Sequence, residues 1–385
     1  MGYSTIVVGA GLSGATIARL LADDGKKVLV LDKRSTIGGN VYDYKDENGI
    51  IIQKYGPHIF HTTKKEVFDF LSNFTQWDKY EHRVLAKIKG KFVPVPFNLT
   101  SLYQLFPKDK ADQIKYVLTS EIGLDKKVPI LQLKKHENKL ISEFADFVYD
   151  NIFYKYTKKQ WGMLPEQLGE NVMNRVPIYV SHEDRYFTDE YQYMPVKGFT
   201  KLVEKMLNHP NLTVELDTDA KSLITLKDGV TYFDGKPFDG NIIWTGRTDE
   251  LFDYKFGELP YRSLTFKFKT INQESFQPSA VVNYTASKRY TRISEFSKFT
   301  CESHHDKTVI VKEYSKACKL GDIPYYPIQV EPNQKLFAKY KEEADKYPNL
   351  KLLGRLANYK YVNMDIAVLD AMNLFEDLNT FESKN

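Results

Sequence analysis

Residues 5–14 read Thr-Ile-Val-Val-Gly-Ala-Gly-Leu-Ser-Gly, and Val28-Leu29-Val30-Leu31-Asp32 follows them. Thr5 to Val8 is a short apolar run that reads as a buried strand, and Ala15 to Asp23 carries Ala18, Leu21 and Ala22 at helical spacing. Val28 to Leu31 is a second apolar run ending on an acid. Strand, glycine turn, helix and strand form the context in which a GxGxxG sequence binds a dinucleotide. Gly9 permits the turn, Gly11 lets the backbone approach a pyrophosphate, Gly14 lets the helix pack closely on the strand, and the helix N-terminus offers free N–H groups. Asp32 stands about twenty residues on, the spacing from which a carboxylate accepts hydrogen bonds from a ribose.

The turn alone does not separate NAD from FAD. Lys33-Arg34-Ser35-Thr36-Ile37-Gly38-Gly39-Asn40 adds a glycine pair just after the ribose acid, where many flavoproteins run a loop close to the FAD diphosphate. A nicotinamide domain would instead continue into a third strand, so the sequence favours FAD.

At 385 residues the chain exceeds what one hydrophobic core fills, and two or three domains are expected. The net charge of +4 is small and lacks a basic block, which argues against nucleic acid as a partner and leaves room for one anionic substrate. Cys301 and Cys318 sit at neither a CxxC nor a zinc spacing, so no metal is proposed and a reducing cytoplasm is the simplest reading. The apolar run Thr5–Ala22 contains three glycines and Arg19 and is explained by the nucleotide motif, which leaves no export or membrane-spanning segment. The 26 Tyr and 24 Phe suit a site that stacks on rings while hydrogen-bonding sugars and phosphates, although most serve the core.

Along the chain, Gly49 to Gln53 reads as a strand and Tyr55-Gly56-Pro57-His58-Ile59-Phe60-His61-Thr62 as a turn fit to face a flavin ring. Helical spacing dominates from Glu66 to Phe74, Pro107 to Gly123 and Leu140 to Phe153. Pro94 and Pro96 exclude a central strand between them and their neighbours. Tyr154 to Gly162 is aromatic and basic; Trp161 fits half-buried packing as well as a role in a site, and Lys158, Lys159, Thr157 and Gly162 beside it also describe a mobile loop that closes on an anion. Lys201 to Leu207 reads as a helix, Leu212 to Leu216 and Asn241 to Trp244 as strands, and the latter returns the chain to the nucleotide sheet. Ser263 to Lys269, Ser279 to Thr285 and Thr308 to Glu313 read as β, with Asn283 and Arg292 near strand ends. A strand from Leu350 leads through Gly354-Arg355 to a helix running to Phe375, a second place for a pyrophosphate or a flavin edge.

The ordered pieces "IGGN", "YGPHIFHT", "YTKKQWG", "NRVPI", "MPVKGFTKLVEKML", "TGRTDELFDYKFGELPYRSL", "YTRISEF", "PYYPI" and "GRLANYKYVNMD" resemble those of bacterial UDP-galactopyranose mutases nearly end to end. The resemblance implies an α/β fold: a discontinuous FAD-binding Rossmann-like domain (residues 1–63, 194–250 and 345–385), a mainly helical domain with a mobile substrate loop (64–175), and a twisted antiparallel sheet domain (176–193 and 251–344). It implies interconversion of UDP-galactopyranose and UDP-galactofuranose with no net redox change, through a bond between N5 of reduced flavin and the anomeric carbon. A homodimer is implied by likeness to bacterial members.

Carried over by residue, Arg175 and Arg292 resemble the pair that neutralises the UDP diphosphate; guanidinium is permanently cationic and binds phosphate through parallel N–H donors. Tyr186, Tyr326 and Tyr361 resemble tyrosines bonded to the diphosphate, Tyr156 the one stacked on uracil, and Thr157 and Trp161 members of the closing loop. Asn283 and His82 resemble further substrate contacts. For FAD the resemblance points to Ser13, Asp32, Lys33, Gly39, Asn40, His58, Ile59, Arg355 and Met364, with Gly9, Gly11 and Gly14 shaping the turn; His61 receives no role. Two positions depart from the family: Asn363 stands where an aspartate is common, and Asp32 where glutamate is frequent. The alternatives are an FAD oxidoreductase of the amine-oxidase or desaturase type, which shares the opening glycines, and a non-enzymatic flavin or sugar-nucleotide sensor.

Overall fold

The computed structural model describes residues 2–168, 177–286, 288–299 and 306–382. Its centre is a parallel five-stranded sheet in the order Leu212–Glu215, Val28–Leu31, Thr5–Val8, Asn241–Trp244 and Leu350–Leu352. Ile6, Val7 and all of Val28–Leu31 are buried, which is why the two central runs, residues 6–8 and 28–31, are continuously apolar rather than alternating. Three separate stretches of chain supply the strands, so the nucleotide fold is discontinuous in sequence. The helix after the glycine turn begins at Leu12, three residues before the apolar spacing predicts, because extended Gly11 is its N-cap.

A buried carboxylate ties two of these stretches together. Asp43 accepts from the backbone N–H of Phe199 at 2.7 Å and of Thr200 at 2.9 Å, capping the helix Phe199–Leu207 from far away in sequence. Gly198 is required beside it: its φ is +86°, and a Cβ there would lie 2.7 Å from the Asp43 oxygens.

The second large element is a seven-stranded sheet in the order Tyr326–Pro327, Tyr261–Ile271, Thr308–Ala317, Arg292–Glu295, Val281–Asn283, Val84–Ile88 and Lys91–Val95. It departs from the sequence reading in two ways. The stretch read as a helical insertion donates the hairpin Val84–Ile88 and Lys91–Val95, and the junction of Val281–Asn283 with Val84–Ile88 is parallel in an otherwise antiparallel sheet. A strand arriving from another part of the chain is not bound to the hairpin polarity of its neighbours. Pro94 is accommodated because Lys91–Val95 is the edge strand. The helices Leu99–Leu105, Lys108–Glu121, Ile130–Lys134 and Lys139–Val148 follow, and a π-helical segment, Tyr149–Tyr154, leads into the helix Lys155–Trp161. Among the described residues no helix is long and apolar enough to cross a membrane.

Between the two sheets, Arg247 and Asp249 form a buried ion pair at 2.5 Å. Asp249 also accepts from the Leu259 N–H at 2.8 Å, and the Arg247 guanidinium lies 5.0 Å from the Tyr261 ring centroid, so the pair pins the entry to the strand Tyr261–Ile271. Removing one partner strands a charge in low dielectric. Asp249→Ala should therefore destabilise the folded holoprotein by about 3–5 kcal/mol in denaturant unfolding, and a loss below about 1 kcal/mol would place the pair among solvated surface bridges.

Candidate active site

At the carboxyl end of the parallel sheet lies a cavity of about 250 Å³, lined by Gly9, Gly11, Ser13, Gly14, Asp32, Lys33, Gly39, Asn40, His58, Arg355 and Met364 among others. Backbone forms much of its floor. A Cβ on Gly9 would meet Thr245 Oγ1 at 2.0 Å, and one on Gly39 would meet the Gly11 Cα at 2.9 Å, so the two glycine pairs lie directly against each other. The N-termini of the helices Leu12–Asp23 and Met364–Glu382 both border this cavity, presenting free N–H groups to an anion.

Asp32 is buried and anchors the turn as well as facing the cavity. Its Oδ2 accepts from the Ala10 N–H at 2.8 Å and its Oδ1 from the Arg34 N–H at 2.9 Å, each oxygen keeping a second lone pair. Lys33 pairs with Glu250 at 2.9 Å across the rim. Arg34, which the sequence reading passed over, is the informative neighbour: Nη2 donates to Asn40, while Nη1 is buried with no partner among the described residues. A glycine cradle, two helix N-termini and an unsatisfied guanidinium N–H suit a dinucleotide with an anionic diphosphate. Ile59 does not line the cavity; it packs against the hydrophobic core.

Beside this cavity stands a cluster of aromatic and cationic side chains. Arg292 Nε donates to Glu313 Oε1 at 3.1 Å; the Glu313 side chain is 3% exposed and that of Arg292 24%, so the carboxylate is sealed and the guanidinium keeps an open side. Burial works against the Arg292 charge, yet Glu313 and the hydroxyls of Tyr156, Tyr326 and Tyr186 hold its pKa well above the usual value. Burial pushes the Tyr156 phenol up to about 12, with Arg292 pulling the other way. Tyr326 and Tyr361 stack at 5.3 Å, and Arg355 lies 4.9 Å from the Tyr361 ring centroid, which joins this cluster to the cavity that Arg355 also lines. Asn283 is the cross-strand partner of Arg292, and its Oδ1 is buried with no hydrogen-bond partner among the described residues. His82 packs edge-on against Tyr186 at 5.7 Å; burial, then Arg292, draws its pKa down to about 3. His58 falls to about 4 through burial and the nearby Arg355. His61 pairs with Asp189 at 2.6 Å and stacks on Phe187.

The helix Lys155–Trp161 covers the cluster. Its Trp161 ring lies 5.8 Å from Tyr326 and 6.5 Å from Tyr361, and Thr157 is buried on the same helix. The helix end is fixed to the large sheet: the Gln160 carbonyl accepts from Arg262 Nε at 3.0 Å and from Ser315 Oγ at 2.5 Å. Gly162 terminates it at φ +69°, and a Cβ there would approach Arg262 Nη1 to 3.0 Å. Arg175 lies outside the described residues. Glu313, Arg34 and Arg262 were missed; the only sequence signal was an acid set in the apolar run Thr308–Glu313 and arginines inside recognisable motifs.

The profile of the UDP-galactopyranose mutase family matches residues 151–361, and that of an NAD(P)-binding Rossmann-like domain residues 7–74. The chain is 34% identical over 369 residues to dTDP-fucopyranose mutase of Escherichia coli, covering 95% of this chain and 96% of that one. It is 36% identical over 375 residues to UDP-galactopyranose mutase of Mycoplasma genitalium, covering 95% and 92%. A crystal structure of reduced UDP-galactopyranose mutase superposes with a TM-score of 0.74 at 15% identity over 99% of this chain and 94% of that one, a likeness of fold. Profile and end-to-end relatives agree, and the chain belongs to the UDP-galactopyranose mutase family.

Proposed function

We propose that this chain is a flavin-dependent mutase that interconverts UDP-galactopyranose and UDP-galactofuranose, with reduced FAD as its cofactor. The observation that carries the reading is the junction at Arg355, where a glycine-lined dinucleotide cavity meets a tyrosine cluster holding a permanently charged guanidinium. Reduced FAD supplies an electron-rich ring nitrogen able to attack the anomeric carbon as the nucleotide leaves, with no net redox change. Gly9, Gly11, Gly14 and Gly39 would admit its diphosphate, Asp32 and Ser13 its ribose side, and Arg34 adds an N–H with no partner among the described residues. His58, Arg355 and Met364 border the remainder of the cavity.

The chain's own residues then manage the nucleotide. Arg292, together with Arg175 as the family resemblance implies, offsets the charge that grows on the departing diphosphate. Tyr186, Tyr326 and Tyr361 offer hydroxyls to its oxygens, while Tyr156, Thr157 and Trp161 on the closing helix, with Asn283 and His82, exclude water and hold the nucleotide. The active unit is proposed as a homodimer.

The dTDP-fucopyranose mutase of E. coli matches as much of the chain as the UDP-galactopyranose mutases do, so a thymidine-diphosphate 6-deoxy sugar is the second reading for the same chemistry. A conventional FAD oxidoreductase would share the opening glycine region, whereas the family match at residues 151–361 lies beyond it. The deciding experiment gives anaerobically reduced protein each furanose nucleotide and separates products by chromatography. Pyranose product from UDP-galactofuranose with no stoichiometric loss of reductant is expected; conversion of only the thymidine substrate selects the second reading, and reductant consumption without isomerisation overturns both.

Two variants refine the roles. Arg292→Lys, which keeps a counter-charge for Glu313 but loses the forked donors, should lower kcat on the order of 10²-fold while the protein stays yellow with bound flavin. Trp161→Ala should weaken UDP binding to the reduced protein by roughly 10-fold, the scale of one lost aromatic contact, as read by titration calorimetry; unchanged affinity would remove Trp161 from the site.

A further inference from the structure

Lys158 and Lys159 both sit on the closing helix, where the sequence reading set two lysines against an anion. Lys159 is directed elsewhere. Its Nζ donates to the backbone carbonyls of Tyr284, of Lys288 at 3.2 Å and of Tyr290 at 3.3 Å. Those carbonyls belong to the turn that joins the strand Val281–Asn283 to the strand Arg292–Glu295. An ammonium has three donors, and all three are engaged here. Burial draws the Lys159 pKa down to about 8, so the group is still mainly cationic at neutral pH.

The two elements that this side chain joins form opposite sides of the nucleotide site. The helix carries Tyr156, Thr157 and Trp161; the turn is flanked by Asn283 and Arg292, which face each other in register. The hairpin is closed by the Tyr284 N–H bonding the Thr291 carbonyl at 2.8 Å, and beyond that rung Lys159 gathers the turn's carbonyls from the helix side. Arg262 and Ser315 hold the same helix to the sheet through one carbonyl, that of Gln160. We propose that Lys159 is a positioning residue whose ammonium couples the closing helix to the hairpin that bears Asn283 and Arg292, so that both sides of the site become ordered together. Its effect on the nucleotide rests on the reading of this site as the sugar-nucleotide site; the coupling itself does not.

Hydrogen exchange on the flavin-loaded protein tests the coupling without any substrate. In Lys159→Met, backbone amides of residues 155–161 and of residues 284–286 and 288–291 should exchange faster together, by roughly 10-fold, the scale of a charge-assisted hydrogen bond. Lys159→Arg, which keeps the charge and several donors, should recover part of the protection in both segments. UDP titration then reads the consequence: Lys159→Met should raise Kd and KM by about 10-fold with kcat at saturation little changed, and Lys159→Arg should fall between it and the parent. Faster exchange confined to the helix, or an unaltered UDP affinity despite faster exchange in both segments, would overturn the proposal. Parent protein that binds no UDP would overturn the nucleotide reading instead, and the exchange measurement would still decide whether the two segments move together.

Discussion

A half-buried guanidinium is costly unless something compensates it, and the sheet register supplies that compensation. Arg292 stands directly opposite Glu313 on the neighbouring antiparallel strand, the arrangement in which opposite charges stabilise a sheet. A slip of one residue would send the two side chains to opposite faces. The site therefore inherits its central cation from strand pairing rather than from a loop, and strand pairing is rigid. Glu313 also limits what Arg292 does alone. The pair is neutral as a unit, and Arg355, which lines the neighbouring cavity and lies against Tyr361, adds a further guanidinium on that side.

Arg355 shows how the discontinuous fold assembles the site. It follows Gly354, whose missing side chain leaves room for Ser13: a Cβ at Gly354 would lie 3.0 Å from the Ser13 hydroxyl. Arg355 then donates to the carbonyls of Tyr325 at 3.2 Å and Val362 at 2.7 Å and stacks against Tyr361. One side chain thus contacts the last strand of the large sheet, the approach to the C-terminal helix and, through its neighbour, the first glycine turn. Chain segments more than three hundred residues apart in sequence meet there because each lines the same cavity.

The parts of this arrangement legible in sequence are those governed by local rules. Apolar runs with no alternation gave the parallel strands, paired glycines gave the two close approaches, and Asn283 fell at the end of a strand that was read, whereas the strand Arg292–Glu295 was not read as one. What escaped reading was decided by distant contacts. The hairpin Val84–Ile88 and Lys91–Val95 sits among helices, and nothing nearby says that it will extend a sheet whose other strands come much later. Glu313 looked like one more charge in a strand because its partner lies across the ladder, and Lys159 resembled Lys158 until the hairpin carbonyls gave it a destination. Ile59 adjoins His58 in sequence but is half-buried against the hydrophobic core rather than lining the cavity.

The histidines show how burial sorts the charges of the site. His58 and His82 both lie close to arginines, and burial together with those like charges holds them near 4 and 3, so neither carries a proton at neutral pH. They can accept or donate a hydrogen bond without adding charge. Tyr156 is likewise held neutral at about 12. Direct positive charge in the cluster therefore resides on guanidiniums, which do not titrate in this range; Lys159 on the closing helix, drawn down to about 8 by burial, is a group that loses its charge as the pH rises past neutrality. A site built on histidine cations would lose its hold as the pH rose through 6 to 7. By surrounding arginine with tyrosines and neutral imidazoles, this chain offers many hydrogen-bonding groups to a nucleotide while fixing where the charge stands.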